Sequence, residues 1–126
     1  MLRSFVIYWF PFLGYAALIY WGSDSPVNVS IPFFEEFHID KIIHALEFFI
    51  FAVLFIRVYP SVKNRMSYHE HIYAAVILTM IYGLSDELHQ AFVPGREISV
   101  WDWTADSLGG ISAGILSYVF HEAGSI

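Results

Sequence analysis

An all-α bundle of four membrane-spanning helices is the fold class this chain predicts, and three observations predict it. Hydrophobic residues make up 57% of the 126 positions, while Asp, Glu, Lys and Arg make up only 14%. An ordinary soluble domain carries roughly 25% of these charged residues, so the deficit points to lipid as solvent. The apolar residues fall into four runs, each close to the ~20 residues a bilayer-crossing helix needs. Proline-bearing or polar segments separate the runs, and the whole of 1–126 reads as one domain with helices at about 4–22, 40–59, 72–92 and 100–120.

Taken in order, Ser4 to Gly22 has no charge and spans once. Pro11 lies in its middle, which a membrane helix tolerates because neighbours re-satisfy the freed carbonyl. Tyr20 and Trp21 are placed as an interfacial anchor. This first run is longer than the apolar part of a signal peptide, and no small-x-small cleavage site follows, so it is expected to be retained. Ser23 to His38 is a loop with Pro26 and Pro32, in which Phe33, Phe34 and Phe37 are expected to lie along the bilayer surface. Asp40 to Tyr59 forms the second span, ended by Pro60. A polar, basic segment from Ser61 to His71 follows, with Lys63 and Arg65 just beyond Arg57. The third span runs from Ile72 to Phe92 and stops at Pro94-Gly95. The fourth runs from Val100 to Phe120, with Ser99 and Asp102 spaced as the N-cap and N3 of a capping box.

Composition also excludes functions. Without Cys there are no disulfides and no thiolate chemistry. The net charge of −6, with no basic tract, argues against a nucleic-acid partner. Arg3, Arg57, Lys63 and Arg65 mark one set of helix ends, and Lys41 and Arg96 the other. The positive-inside rule then places both termini and the second-to-third connection in the cytoplasm, in a multi-pass protein of the cytoplasmic membrane. Whichever side is outside, the start of helix two, the end of helix three and the start of helix four must meet at one surface.

Those three ends carry the unusual residues. Asp40, His44 and Glu47 stand at i, i+4 and i+7 on one arc of helix two, with Glu47 about 10 Å deeper than Asp40. Tyr82, Asp86, His89 and Gln90 share a face of helix three, and Glu87 is rotated toward the Gln90 edge. Asp102 and Asp106 share a face of helix four with Gly109, Gly110 and Ala113. Gly110 and Gly114 add a small-xxx-small stripe that admits a neighbouring backbone. An acid at mid-span costs about 2.5–3.5 kcal/mol on the insertion scale, so six carboxylates facing lipid would threaten insertion. They are therefore expected to converge in a protein interior. There Arg96 is the main counter-ion and Lys41 a weaker one, with His44 and His89 assisting. The six acids outnumber these bases, so protons, a divalent cation or a cationic ligand must supply the balance.

Plainer roles fit some of these residues. Asp102 suits a cap, Asp40 suits a first-turn acid facing the helix dipole, and His89 suits a solvent-facing helix end. A buried ion-pair network around Arg96 would account for the deeper acids. The aromatic residues read as lipid-facing or interfacial, and His38, His69, His71 and His121 read as loop or end residues.

Asp40-Lys41 with His44, Tyr82-Gly83 with Asp86-Glu87 and Gln90, then Phe92, Pro94, Arg96, Asp102, Asp106 and Gly109 resemble the VanZ-like family of small bacterial membrane proteins. The resemblance covers roughly Asp40 to Gly114. Asp106 departs from it, standing where the family usually has Asn, and Phe48 stands where Tyr is common. The resemblance implies a bacterial cell-envelope setting and a link to teicoplanin-type glycopeptide resistance, with no assigned reaction. Taken with the residues, it sets the expected site. Asp86, Glu87, Asp106, His44 and Glu47 are the catalytic candidates, and Asp40, Gln90, Arg96, Asp102 and Tyr82 the ligand-binding ones, Arg96 as a phosphate or carboxylate clamp. The expected partners are the bilayer and a lipid-linked or cell-wall-related ligand, with self-association open. A divalent cation on the carboxylates is the candidate cofactor; oxygen-rich ligation favours Mg²⁺, Ca²⁺ or Mn²⁺, and the histidines keep Zn²⁺ in view. The residues leave three activities open: an enzyme, a lipid- or antibiotic-binding protein, and a small proton- or ion-coupled carrier.

Overall fold

The structure, a computed structural model, describes residues 2–25 and 39–124, and these form four helical rods with no strand among them. The surface-lying piece expected at Phe33, Phe34 and Phe37, and His38 with it, fall outside the described residues.

Helix α1 runs Leu2–Ser23, and its first half is not uniform. Leu2–Ser4 is α-helical, Phe5–Trp9 is a π-helical turn, and Phe10–Ser23 is α-helical again. The widened turn lies immediately before Pro11, with the Phe10 N–H reaching back to the Phe5 carbonyl. A proline ring collides with the carbonyl four residues upstream in a regular helix, and a π turn opens that spacing. The sequence predicts an accommodated proline, and this is the accommodation.

Helix α2 spans Ile39–Ile56, and after a turn at Arg57 and Val58 a one-turn helix, Tyr59–Val62, carries Pro60 in its first turn. Helix α3 spans Tyr68–Gln90, beginning four residues before the expected start. A complete capping box explains the extra turn: Ser67 Oγ accepts from the Glu70 N–H and the Glu70 carboxylate accepts from the Ser67 N–H. Helix α4 spans Val100–Gly124.

Side-chain size decides how the rods pack. A Cβ on Gly109 would overlap the Ala45 carbonyl oxygen and lie 2.9 Å from the Phe49 nitrogen, so the α4 backbone rests on that of α2. On the neighbouring face, a Cβ at Gly110 would meet Thr79 Cγ2 at 2.7 Å, and one at Gly114 would meet Val76 Cγ2 at 2.8 Å, both on α3. Small residues thus set the α2–α4 and α3–α4 crossings. Helix α1 leans on the other side through rings. Phe12, Ile19, Phe48, Phe51 and Val58 form a buried cluster, with Phe12 and Phe51 centroids 5.1 Å apart and Phe51 stacked on Tyr82 at 4.7 Å. These rings are core, which corrects the expectation that the aromatics face lipid. Tyr20 and Trp21 remain exposed.

The outer surface is apolar. Ile77, Ile81, Leu84 and Leu88 of α3, and Leu108, Ile111, Ile115 and Val119 of α4, are all exposed, while Asp86, Glu87 and Asp106 are buried. A soluble bundle has the reverse pattern. By length and hydropathy two helices, Leu2–Ser23 and Ile39–Val62, are suited to cross a membrane; α3 and α4 fall short of that mark.

Candidate functional site

The start of α2, the end of α3 and the start of α4 meet at one end of the bundle, and side-chain bonds join them. Lys41 Nζ donates to Asp40 Oδ2 (2.6 Å) and also to Asp102 Oδ1, linking α2 to α4. One turn deeper, His44 Nδ1 lies 3.0 Å from Asp106 Oδ1, and His44 Nε2 lies 4.0 Å from Asp102 Oδ2. Asp106 is fully buried and Glu87 nearly so, at 0% and 1% exposure. Gly83 makes room for the former, because a Cβ there would sit 3.0 Å from Asp106 Oδ2.

Glu87 sits where α3 hands over to α4. The Ser99 N–H donates to Glu87 Oε2 (2.8 Å), while the Asp102 N–H donates to Ser99 Oγ (3.2 Å). Ser99 therefore caps α4 as expected, but Asp102 does not complete the box. Its carboxylate is taken by Lys41, and a residue from another helix, Glu87, satisfies the N-cap N–H instead. Asp86, also buried, accepts from Gln90 Nε2 (2.9 Å) one turn along α3. Next to it, between α1 and α3, is a cavity of ≈ 350 Å³ lined by Tyr20, Tyr82, Ser85, Asp86, His89 and Phe92, among others.

Not every expected member joins the acids. Arg96 donates to the carbonyls of Gly22 (3.2 Å) and Ser25 (3.3 Å), tying the α3–α4 connection to the C-terminal end of α1. Lys41, not Arg96, is the cation paired with the carboxylates. Arg96 follows a left-handed turn at Gly95, at φ 82°. Tyr82 Oη donates to the Ala16 carbonyl (2.7 Å), and Tyr15 Oη to the Glu47 carbonyl (3.2 Å), so both tyrosines secure α1. Glu47 is half-buried and outside the closest group of donors. Asp40 is exposed at the helix start. His89, expected to face solvent, pairs with Asp24 (3.2 Å) and packs on Tyr20 at 4.5 Å.

At the other end of the bundle His71 is 1% exposed, stacked on Phe55 at 4.8 Å, with Nε2 2.9 Å from the Phe55 carbonyl. This corrects its reading as a loop residue. Its place in the first turn of α3 follows from the Ser67-x-x-Glu70 pattern, a signal the surrounding polarity conceals.

Chemically, the junction offers two buried carboxylates, each with one oxygen bonded and one, Glu87 Oε1 or Asp106 Oδ2, without a partner. One ligand atom from each of these carboxylates and one from the His44 imidazole lie within 4.8 Å of one another. Such a set suits proton transfer or cation ligation. Fold and site together define a small all-helical protein with bilayer-suited helices, an apolar exterior and a buried acid–imidazole centre. The VanZ/LLP1 family model matches residues 3–121, nearly the whole chain, and the chain belongs to that family. No curated protein and no solved structure matches it.

Proposed function

We propose that this chain is a multi-pass protein of the bacterial cytoplasmic membrane that binds or modifies a lipid-linked or cell-wall-related envelope ligand at a polar site near the outer leaflet. Its physiological consequence, on this reading, is altered sensitivity to glycopeptides of the teicoplanin type. One observation carries the proposal. Helices α3 and α4 bury Asp86, Glu87 and Asp106 at a single end, with His44 of α2 against Asp106, while the outward faces of α3 and α4 are apolar. Intramembrane acids arranged in this way mark a functional site by default, since burying them is costly and an oxygen each of Glu87 and Asp106 is left without a hydrogen-bond partner. The apolar outer faces of α3 and α4 support spanning by all four helices, because hydropathy averaged over a whole helix is lowered by residues that lipid never meets. The ≈ 350 Å³ cavity beside Asp86 has the size of a head-group site and opens between two helices, where a lipid-linked ligand enters sideways.

The test compares cells producing the wild-type chain with cells producing Asp86→Asn or Glu87→Gln at equal membrane levels. Teicoplanin susceptibility and retention of a purified lipid-linked cell-wall precursor on the detergent-solubilised protein are both measured. Each variant should lose the wild-type effect and bind the precursor at least about tenfold more weakly, about 1.4 kcal/mol. Wild-type susceptibility and retention in both variants would overturn the proposal.

A further inference from the structure

We infer that His44, Glu87 and Asp106 form the seat of one divalent transition-metal ion, with Zn²⁺ the ion their donors suit best. The inference deepens the proposed function and rests on reading this junction as a functional site. The three residues come from α2, α3 and α4, and one ligand atom from each lies within 4.8 Å of the others. Donors on bonds of ~2.1 Å around a tetrahedral ion lie about 3.4 Å apart, so seating the ion asks the widest-spaced pair to close by up to about 1.4 Å, shared between two side chains.

Three further features point to a cation. First, Glu87 Oε1 and Asp106 Oδ2 are buried with no hydrogen-bond partner. Buried polar atoms are almost always satisfied, and two unsatisfied carboxylate oxygens in one junction call for an electrophile. Second, the remaining oxygen of each carboxylate is fixed. The Ser99 N–H holds Glu87 Oε2 at 2.8 Å, and His44 Nδ1 lies 3.0 Å from Asp106 Oδ1. One ring nitrogen of His44, Nδ1, faces Asp106, and the other, Nε2, lies 4.0 Å from Asp102 Oδ2, beyond hydrogen-bond reach, so the imidazole keeps a nitrogen to offer the ion. Third, the local fixed cations are engaged: Lys41 with Asp40 and Asp102, and Arg96 with the carbonyls of Gly22 and Ser25. A divalent ion between two carboxylates and a neutral imidazole makes the group electrically neutral, which a site sheltered from water favours.

The donor set narrows the ion. An imidazole nitrogen disfavours Mg²⁺ and Ca²⁺, and two hard oxygens disfavour Cu⁺. Three protein donors leave a fourth position for water or for an oxygen of the envelope ligand, as in catalytic zinc sites. Gly83 belongs to the design, since a methyl group there would crowd the free oxygen of Asp106.

The full-length protein, purified in detergent and stripped with chelator, is titrated with Zn²⁺ alone by calorimetry, and the dialysed product is analysed for metal. Co²⁺ replacing Zn²⁺ reports the geometry through its visible bands. One ion per chain is expected. Glu87→Gln and Asp106→Asn should each weaken binding by at least the roughly 10- to 100-fold that loss of an outer partner costs. His69→Ala, at the opposite end beside Glu122, should leave it unchanged. Failure of the wild-type protein to bind a stoichiometric ion overturns the inference whatever the variants do, and so does unchanged affinity in both ligand variants. Asp86 lies outside the donor group, so the two readings separate. An Asp86→Asn protein that loses teicoplanin protection, alongside a wild type that binds no metal, sinks the metal site and leaves the envelope function standing.

Discussion

Two glutamates perform the same task at two helix starts by different routes. Glu70 closes its capping box locally, its carboxylate accepting from the Ser67 N–H at 2.8 Å and from the Ser67 hydroxyl at 2.9 Å. Glu87 satisfies the N–H of Ser99 from another helix, 12 residues away. The first lies before the apolar run of α3, outside the proposed span, and is fully exposed to solvent. The Ser67 backbone N–H, and then its hydroxyl, hold the Glu70 carboxyl below the ordinary value of 4.5. Because the folded-state value is the lower one, the cap stabilises the folded chain above that ordinary value and is lost as pH falls through the depressed one. Amide protection in the first turn of α3 should therefore drop on acidification below that ordinary value. Glu70→Ala should show the reduced protection already at neutral pH, with no acid step. Hydrogen exchange of the amides of Tyr68 to Ile72 checks both, and an acid step that survives in the variant would assign the titration elsewhere.

Helices in this molecule approach as closely as their smallest residues allow. The α2–α4 crossing depends on Gly109, whose missing Cβ leaves space that the Ala45 carbonyl and Phe49 nitrogen occupy. Gly109→Ala forces two backbones apart and should destabilise by at least about 1–3 kcal/mol, with the larger end expected because backbone cannot rotate away. Gly14→Ala is the control: nothing lies within 4 Å of its would-be Cβ, and alanine is the better helix former. Unfolding in detergent micelles measures both, and equal stabilities would remove the basis for so tight a crossing. This crossing also sets the site, since it carries Asp106 to within 3.0 Å of His44. Much of it was legible beforehand. Asp102, Asp106, Gly109 and Gly110 read as one face of a helix, which is a consequence of 3.6-residue periodicity alone. The π turn before Pro11 was not legible, because a proline in a helix can be accommodated by a kink, a break or a widened turn, and neighbours select among them.

For the whole molecule, Arg57, Lys63 and Arg65 lie exposed between α2 and α3, at the opposite end from the acids. If the four helices cross the bilayer, that end is cytoplasmic by the positive-inside rule, and the acid–imidazole site lies near the outer leaflet. A fluorescent protein fused after residue 124 should then fold and fluoresce, and alkaline phosphatase inserted after Gly95 should be active. The reverse pattern would move the site to the cytoplasmic leaflet, out of reach of a ligand that stays outside.

What the residue order determined by itself is the number of helices and which of their ends carry the acids, because hydropathy and helical period act over short distances along the chain. The described turns after α2 and α3 bring those ends to one surface. Which cation meets which acid was settled only by tertiary structure. Lys41 and Arg96 are equally charged and both stand near the site in sequence. Arg96, just after the left-handed turn at Gly95, bonds to the carbonyls of Gly22 and Ser25, while the α2–α4 contact brings Lys41 to Asp102. The free oxygens of Glu87 and Asp106 were likewise beyond the reach of pattern, since a carboxylate's unmet hydrogen-bonding capacity appears only once every neighbour that might have met it has taken its place.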